Sequence, residues 1–212
     1  MMTFLFILEV IGTFAFAVSG ALVGLRKNMD VFGICVLGLT TAVGGGMVRD
    51  LILGNIPPMM FRSPVYAMIA VITSIGVFLP FIRNRLLKSN RTFDLVLLVM
   101  DTLGLGAFTV VGVEKAIVAE FEAGLFLTVF VGVLTGVGGG LLRDMMAGNT
   151  PYIFVKHIYA CACIAGALAC ALLWDIAGSQ GAMLIGLAIV MVIRFLAAHY
   201  RWNLPKPGVI PE

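Results

Sequence analysis

Gly44-Gly45-Gly46-Met47-Val48-Arg49-Asp50-Leu51-Ile52-Leu53-Gly54-Asn55-Ile56-Pro57 returns later in the chain as Gly138-Gly139-Gly140-Leu141-Leu142-Arg143-Asp144-Met145-Met146-Ala147-Gly148-Asn149-Thr150-Pro151, 94 residues on. Upstream, Glu9, Gly12, Ala15, Phe16, Val18 and Gly20 match Asp101, Gly104, Ala107, Phe108, Val110 and Gly112 at an offset of 92, so the second copy carries two extra residues in its first link. The chain is therefore an internal duplication.

The surroundings of the two copies place them in lipid. Of the 212 residues 61% are hydrophobic and only 12% charged, a composition outside the range of soluble domains. Apolar segments run over about Phe4–Leu25, Val31–Leu53, Val65–Ile82, Phe93–Val113, Leu125–Ala147, Ile153–Trp174 and Gly181–Ala198, each near the length of a bilayer-crossing helix. Between them lie charged or turn-forming links: Arg26-Lys27-Asn28, Gly54 to Pro58, Arg83 to Arg91, Glu114 to Glu122, Gly148 to Pro151 and Asp175 to Gln180. The expected fold is an all-α membrane protein of seven transmembrane helices, two inverted three-helix repeats plus a seventh helix. Repeat one spans 3–82, repeat two 93–174 and the seventh helix 178–200, all in one transmembrane domain over 1–202, and the proline-containing tail 203–212 is expected to be flexible. An odd number of crossings per copy reverses the second copy in the membrane, as in many transport proteins.

Charge sets the expected orientation. The side holding the C-terminus carries Arg26, Lys27, Arg83, Arg85, Lys88, Arg91, Lys156, Arg201 and Lys206, nine basic residues, against Arg62 and Lys115 opposite. The positive-inside rule puts the N-terminus outside and the C-terminus in the cytoplasm, with the chain in the cell's inner (plasma) membrane. The net charge of +3 reflects these link residues and not nucleic-acid binding. Met1 to Leu8 lack the positive charge of a signal peptide, so the first segment is expected to stay.

Two runs of three glycines inside membrane helices are the strongest functional signal. Each glycine costs about 1 kcal/mol of helix propensity relative to alanine, so Gly44, Gly45, Gly46, Gly138, Gly139 and Gly140 are expected to kink or unwind their helices. Backbone freed at membrane depth must face protein or water, which would place both runs on an interior cavity near a two-fold pseudo-axis. The alternative is close helix packing alone, the role expected for Gly20-x-x-x-Gly24 and Gly132-x-x-x-Gly136. Alanine at Gly45 or Gly139 is expected to change conduction more than folding. A phosphate-binding loop is disfavoured, since no Lys-Ser/Thr follows.

Ionisable residues on apolar segments are the second signal, because a charge at the bilayer centre costs at least about 2.5–3.5 kcal/mol. These are Glu9, Arg49, Asp50, Asp101, Arg143, Asp144 and Arg194. Adjacent helical residues point about 100° apart, so the expected neutralisation is across the repeat, Arg49 with Asp144 and Arg143 with Asp50. The alternative is snorkelling to the interface, the role expected for Arg194. Glu9 and Asp101 either attract cations or sit at the headgroup boundary. Ser19, Thr41 and Thr135 are polar pore-lining candidates, alongside Thr13, Thr40 and Thr109; each hydroxyl can equally bond to the carbonyl one turn back. Cys35, Cys161, Cys163 and Cys170 read as packing residues, His157 with Cys161 is too small a set for a metal, and no nucleophile and base arrangement marks an enzyme. No catalytic residue, cofactor or metal is expected.

The doubled Gly-Gly-Gly-x-x-Arg-Asp-x-x-x-Gly-Asn-x-Pro motif, three helices apart and followed by a lone helix, resembles the bacterial branch of the trimeric intracellular cation (TRIC) channel family over about residues 3–198. The resemblance implies a homotrimer with a pore in each protomer, formed by the first, second, fourth and fifth helices, and a conduit for potassium or other monovalent cations. Membrane lipid is the surrounding partner. By motif it implicates Gly44 to Gly46, Arg49, Asp50, Gly138 to Gly140, Arg143 and Asp144. Animal members bind phosphoinositide at a Lys-Glu-Val motif where this sequence has Gly44-Gly45-Gly46-Met47, so that property is not carried over. Some bacterial relatives are associated with glycine uptake, which keeps a small-amino-acid transporter as the alternative function. No filter of the Thr-Val-Gly-Tyr-Gly type is present, so selectivity is expected to rest on pore width and charge.

Overall fold

The computed structural model describes residues 2–119, 124–155 and 158–202, and its regular elements are all helices. In chain order they are α1 (Met2–Arg26), α2 (Val31–Ile52), α3 (Met59–Arg62), α4 (Val65–Phe78), α5 (Pro80–Leu87), α6 (Asn90–Val118), α7 (Leu125–Met146), α8 (Tyr152–Val155), α9 (Tyr159–Leu172) and α10 (Trp174–Tyr200). Five of these, α1, α2, α6, α7 and α10, are long and apolar enough to cross a bilayer. A sixth crossing results if α4 and α5 count as one broken span, bent by 66° where Pro80 opens the second piece. The sixth segment read from sequence is shorter than expected, since α9 has 14 residues. Lys156, His157, Glu120, Glu122 and the tail from Asn203 lie outside the described residues.

Local chemistry sets the boundaries. Asp30 caps α2 by accepting the Gly33 N–H at 2.7 Å, and Ser89 caps α6 by accepting from Thr92. At the other end of α2, Gly54 takes a left-handed conformation (φ 72°), its N–H donates to the Leu51 carbonyl, and the Asn55 N–H donates to the Asp50 carbonyl at 2.8 Å. Gly148 (φ 65°) and Asn149 close α7 in the same way, on Met145 and Asp144. The repeated Gly-Asn is thus a Schellman stop, and the following proline continues no helix.

Helices α2 and α7 cross at the centre. An added Cβ on Gly45 would stand 2.2 Å from the Thr135 carbonyl oxygen, and one on Gly139 would stand 2.1 Å from that of Thr41. The reciprocal pairing, Thr41 opposite Gly139 and Thr135 opposite Gly45, makes the crossing antiparallel. Around it α1 packs against α2, α4 and α6, while α6 packs against α7 and α10. Gly20, Gly132 and Gly136 likewise admit the neighbouring helix backbone. Cys163 and Cys170 are buried packing residues as read, whereas Cys161 is exposed and Cys35 intermediate.

The unwinding expected at the glycine runs is not found. Both glycine runs lie within continuous helices, with no non-helical backbone between Val31 and Ile52 or between Leu125 and Met146. The helical hydrogen bonds stay intact because the missing side chains are compensated by the partner backbone, which occupies the space that a Cβ would need. The break in regular backbone falls instead in α10, at Gly178 (φ 70°, ψ 162°).

Candidate functional site

The ionisable residues of the membrane segments assemble into two clusters, one per repeat copy. In the first, Arg49 at the end of α2 turns back on its neighbour, with Nε donating to Asp50 Oδ1 at 2.8 Å. The other Asp50 oxygen accepts the Met59 N–H at 2.9 Å. In the second, Arg143 Nε donates to Asp144 Oδ1 at 2.8 Å and Asp144 Oδ2 accepts the Tyr152 N–H at 3.0 Å. Each aspartate therefore joins its helix end to the segment beyond the Schellman turn. The expected cross-repeat pairs, Arg49 with Asp144 and Arg143 with Asp50, do not form: the antiparallel crossing at Gly45 and Gly139 sends the two helix ends apart. The adjacent pairs form because the long arginine side chain can fold its Nε over the carboxylate beside it.

Above each Arg-Asp pair sits the acid of the preceding helix, and here the copies differ. Asp101 on α6 accepts from Arg143 Nη1 at 2.5 Å and from Ser19 at 3.4 Å, and Arg143 also donates to Ser19. Arg143 is fully buried and Asp101 is 1% exposed. Arg194 from α10 brings Nη2 to 3.8 Å from the second Asp101 oxygen, and its guanidinium lies 4.8 Å from the Tyr159 ring centre. That corrects the snorkelling reading: Arg194 is 5% exposed and faces the protein, because a buried carboxylate and an aromatic face offer more than the interface does. In the first copy Glu9 lies against Tyr66, whose hydroxyl donates to it, while Arg49 stays with Asp50.

Two tyrosines at these clusters, Tyr66 and Tyr159, were not among the candidates read from the sequence. Tyr66 on α4 and Tyr159 on α9 are 93 residues apart, as Met59 and Tyr152 are also 93 apart at the aspartate contacts. The signal was present in the repeat once a one-residue gap is allowed between Pro151 and Tyr152, opposite Pro58. Phe16 and Phe108, matched by the 92-residue offset but given no role there, are repeat mates whose rings lie 5.5 Å apart. Phe16 packs where Gly104 leaves space and Phe108 where Gly12 does.

Thr41 and Thr135 are buried, and their hydroxyls donate to Leu37 and Val131 at 2.6 Å in their own helices; Thr109 does the same to Leu105 at 2.7 Å. Of the hydroxyl candidates Ser19 joins the charged cluster. Gly44 is covered by Leu142, Gly138 by Gly45 and Gly140 by the Tyr159 hydroxyl, while a Cβ added to Gly46 would lie 3.6 Å from Arg49 Nη2.

Two clefts open onto these clusters. Glu9, Arg49, Asp50, Tyr66 and Gly46 line one, with Phe108 at its wall. Asp101, Arg194, Tyr152, Arg26, Asp94 and Arg201 line the other. No group of three or more potential metal ligands occurs among the described residues.

Comparison with known proteins matches both halves of this arrangement. A family model described as glycine transporter matches residues 6–80 and 98–175, two segments that coincide with the two copies. The UPF0126 inner membrane protein YadS of Escherichia coli is 39% identical over 202 residues, covering 94% of this chain and 93% of its own length. A solved TRIC cation channel is 31% identical with a TM-score of 0.83, covering 97% of this chain and 98% of its own. The TRIC trimeric intracellular cation channel orthologue from Rhodobacter sphaeroides is 32% identical with a TM-score of 0.81, covering 93% and 98%. The chain is thus a multi-pass membrane protein of the UPF0126 family, within the bacterial branch of the TRIC channel family.

Proposed function

We propose that this chain is a passive, potassium-permeable monovalent cation channel that assembles as a homotrimer with a pore inside each protomer. The observation that carries the reading is the likeness to solved TRIC cation channels over nearly the whole chain. In this reading residues 3–82 and 93–174 form inverted repeats around the α2 and α7 crossing, and α10 is the seventh helix. The antiparallel contact of Gly45 with Thr135 and of Gly139 with Thr41 supports that arrangement. The two clefts would be the vestibules. Phe16 and Phe108, together with the glycine crossing, would be the closed section between them.

A small-amino-acid transporter would hold its substrate at broken-helix N-termini. Helices α2 and α7 run unbroken at the glycine runs. Purified protein in planar bilayers is expected to give unitary potassium currents, a result that a cycling transporter does not produce. Saturable glycine uptake without unitary currents would overturn the channel reading.

The nine-to-two distribution of basic residues supports an outside N-terminus and a cytoplasmic C-terminus. A reporter enzyme active only outside the cytoplasm, fused after Glu212, is expected to be silent. High activity would reverse the orientation.

A further inference from the structure

Resting on the channel reading, we infer that Glu9 is the residue that gives the conduction path its preference for cations, acting at the cleft of the first repeat copy. The argument is the departure of the two clusters from their own symmetry. Both copies contain an acid on the first helix, an Arg-Asp pair ending the second, and a tyrosine on the longer helix that follows, α4 or α9. In the second copy the arginine serves both acids: Arg143 binds Asp144 and Asp101 together, and Arg194 adds a second positive charge at 3.8 Å. That carboxylate is neutralised by protein.

In the first copy the equivalent arginine serves only its neighbour. Arg49 pairs with Asp50 at 2.7 Å, and Glu9 forms no ion pair among the described residues. Its hydrogen-bond donor is Tyr66, a neutral hydroxyl. Glu9 is 6% exposed yet lines the cleft, so its carboxylate borders the open space while most of its surroundings are low in dielectric. A charge in such a place acts strongly on a passing ion. Glu114, the other buried acid of this region, is paired with Lys115 at 3.5 Å.

Among the described residues, the charges lining the two clefts differ in sign. Two carboxylates, Glu9 and Asp50, face one guanidinium, Arg49, in the first. Three guanidiniums, Arg26, Arg194 and Arg201, face two carboxylates, Asp94 and Asp101, in the second. A monovalent cation is stabilised in the first cleft and disfavoured in the second, and Glu9 is the carboxylate that makes the difference. Fixed acidic side chains of this kind give cation channels their charge selectivity.

The test is the reversal potential under a KCl gradient for single channels in planar bilayers. Glu9→Gln keeps an acceptor for the Tyr66 hydroxyl and removes the charge. Its potassium-over-chloride permeability ratio is expected to fall several-fold, moving the reversal potential toward zero, while unitary currents persist. Glu9→Asp is expected to retain most of the ratio. Tyr66→Phe, which frees the carboxylate without changing its charge, is expected to hold or raise the ratio, and it keeps the assignment testable should Glu9→Gln fail to fold. An unchanged reversal potential in Glu9→Gln, or a several-fold fall in Tyr66→Phe, would overturn the assignment. Absence of currents from the wild type would remove the channel reading itself, a different result from unaltered selectivity.

Discussion

Replacing Arg143 with methionine is expected to lower the folding free energy by about 3–5 kcal/mol, the usual consequence of removing one partner of a buried ion pair. The guanidinium is fully buried between Asp101 and Asp144 and donates to both, as well as to Ser19. Its removal leaves two carboxylates, each 1% exposed, with Arg194 as the remaining nearby cation, and the desolvation that the ion pair had offset is then uncompensated. Arg49→Met removes the repeat-equivalent side chain but is expected to cost clearly less. Asp50 keeps the Met59 N–H, and the cleft on which both residues lie gives its carboxylate access to water. The double change Arg143→Met with Asp101→Asn is expected to recover part of the loss, since it removes one stranded charge. Thermal unfolding and yield in detergent decide the matter. Equal losses at positions 49 and 143 would show that the two clusters are energetically alike, contrary to the difference in their partners.

Much of this architecture was legible from residue order. The doubled motif located both copies, the apolar segments located α1, α2, α6, α7 and α10, and the matched pairs Glu9 with Asp101 and Phe16 with Phe108 were read from an offset of 92. What sequence spacing did not carry was direction at the scale of single side chains. The angle between neighbours on a helix describes Cβ vectors, and an arginine has enough length to return across that angle, so Arg49 and Arg143 each met the adjacent aspartate. Charge placement misled at Arg194 for a related reason: its position near a helix end suited snorkelling, but the decisive partners, Asp101 and Tyr159, come from α6 and α9 and are remote in sequence. The tyrosines were overlooked because a one-residue difference after Pro151 takes them out of the 94-residue register. The glycine runs were read through helix propensity, a local quantity, whereas their conformation is set by a neighbouring backbone that no local rule contains.

That difference reverses the effect expected of alanine in the glycine runs. Seen as kink points, Gly45 and Gly139 would accept a methyl group and gain about 1 kcal/mol of helix propensity per site. In the folded chain the added Cβ falls 2.2 Å from the Thr135 carbonyl oxygen at one site and 2.1 Å from the Thr41 carbonyl oxygen at the other. These are backbone atoms, unable to rotate aside, so α2 and α7 must separate or lose their contact. Overpacking of a rigid interior typically costs about 1–3 kcal/mol, and a clash with main chain belongs at or above the top of that range, well beyond the propensity gain. Gly46 is the internal control: the nearest atom to its added Cβ is Arg49 Nη2 at 3.6 Å, an ordinary contact. Gly45→Ala and Gly139→Ala are therefore expected to lower the unfolding midpoint in detergent by several degrees, whereas Gly46→Ala leaves it unchanged or raises it. Folding is the property that suffers first at the crossing, and any change in conduction there follows from altered helix separation. If Gly46→Ala destabilised the protein as much as Gly45→Ala, glycine in these runs would be needed for backbone flexibility and not for the approach of α7 to α2.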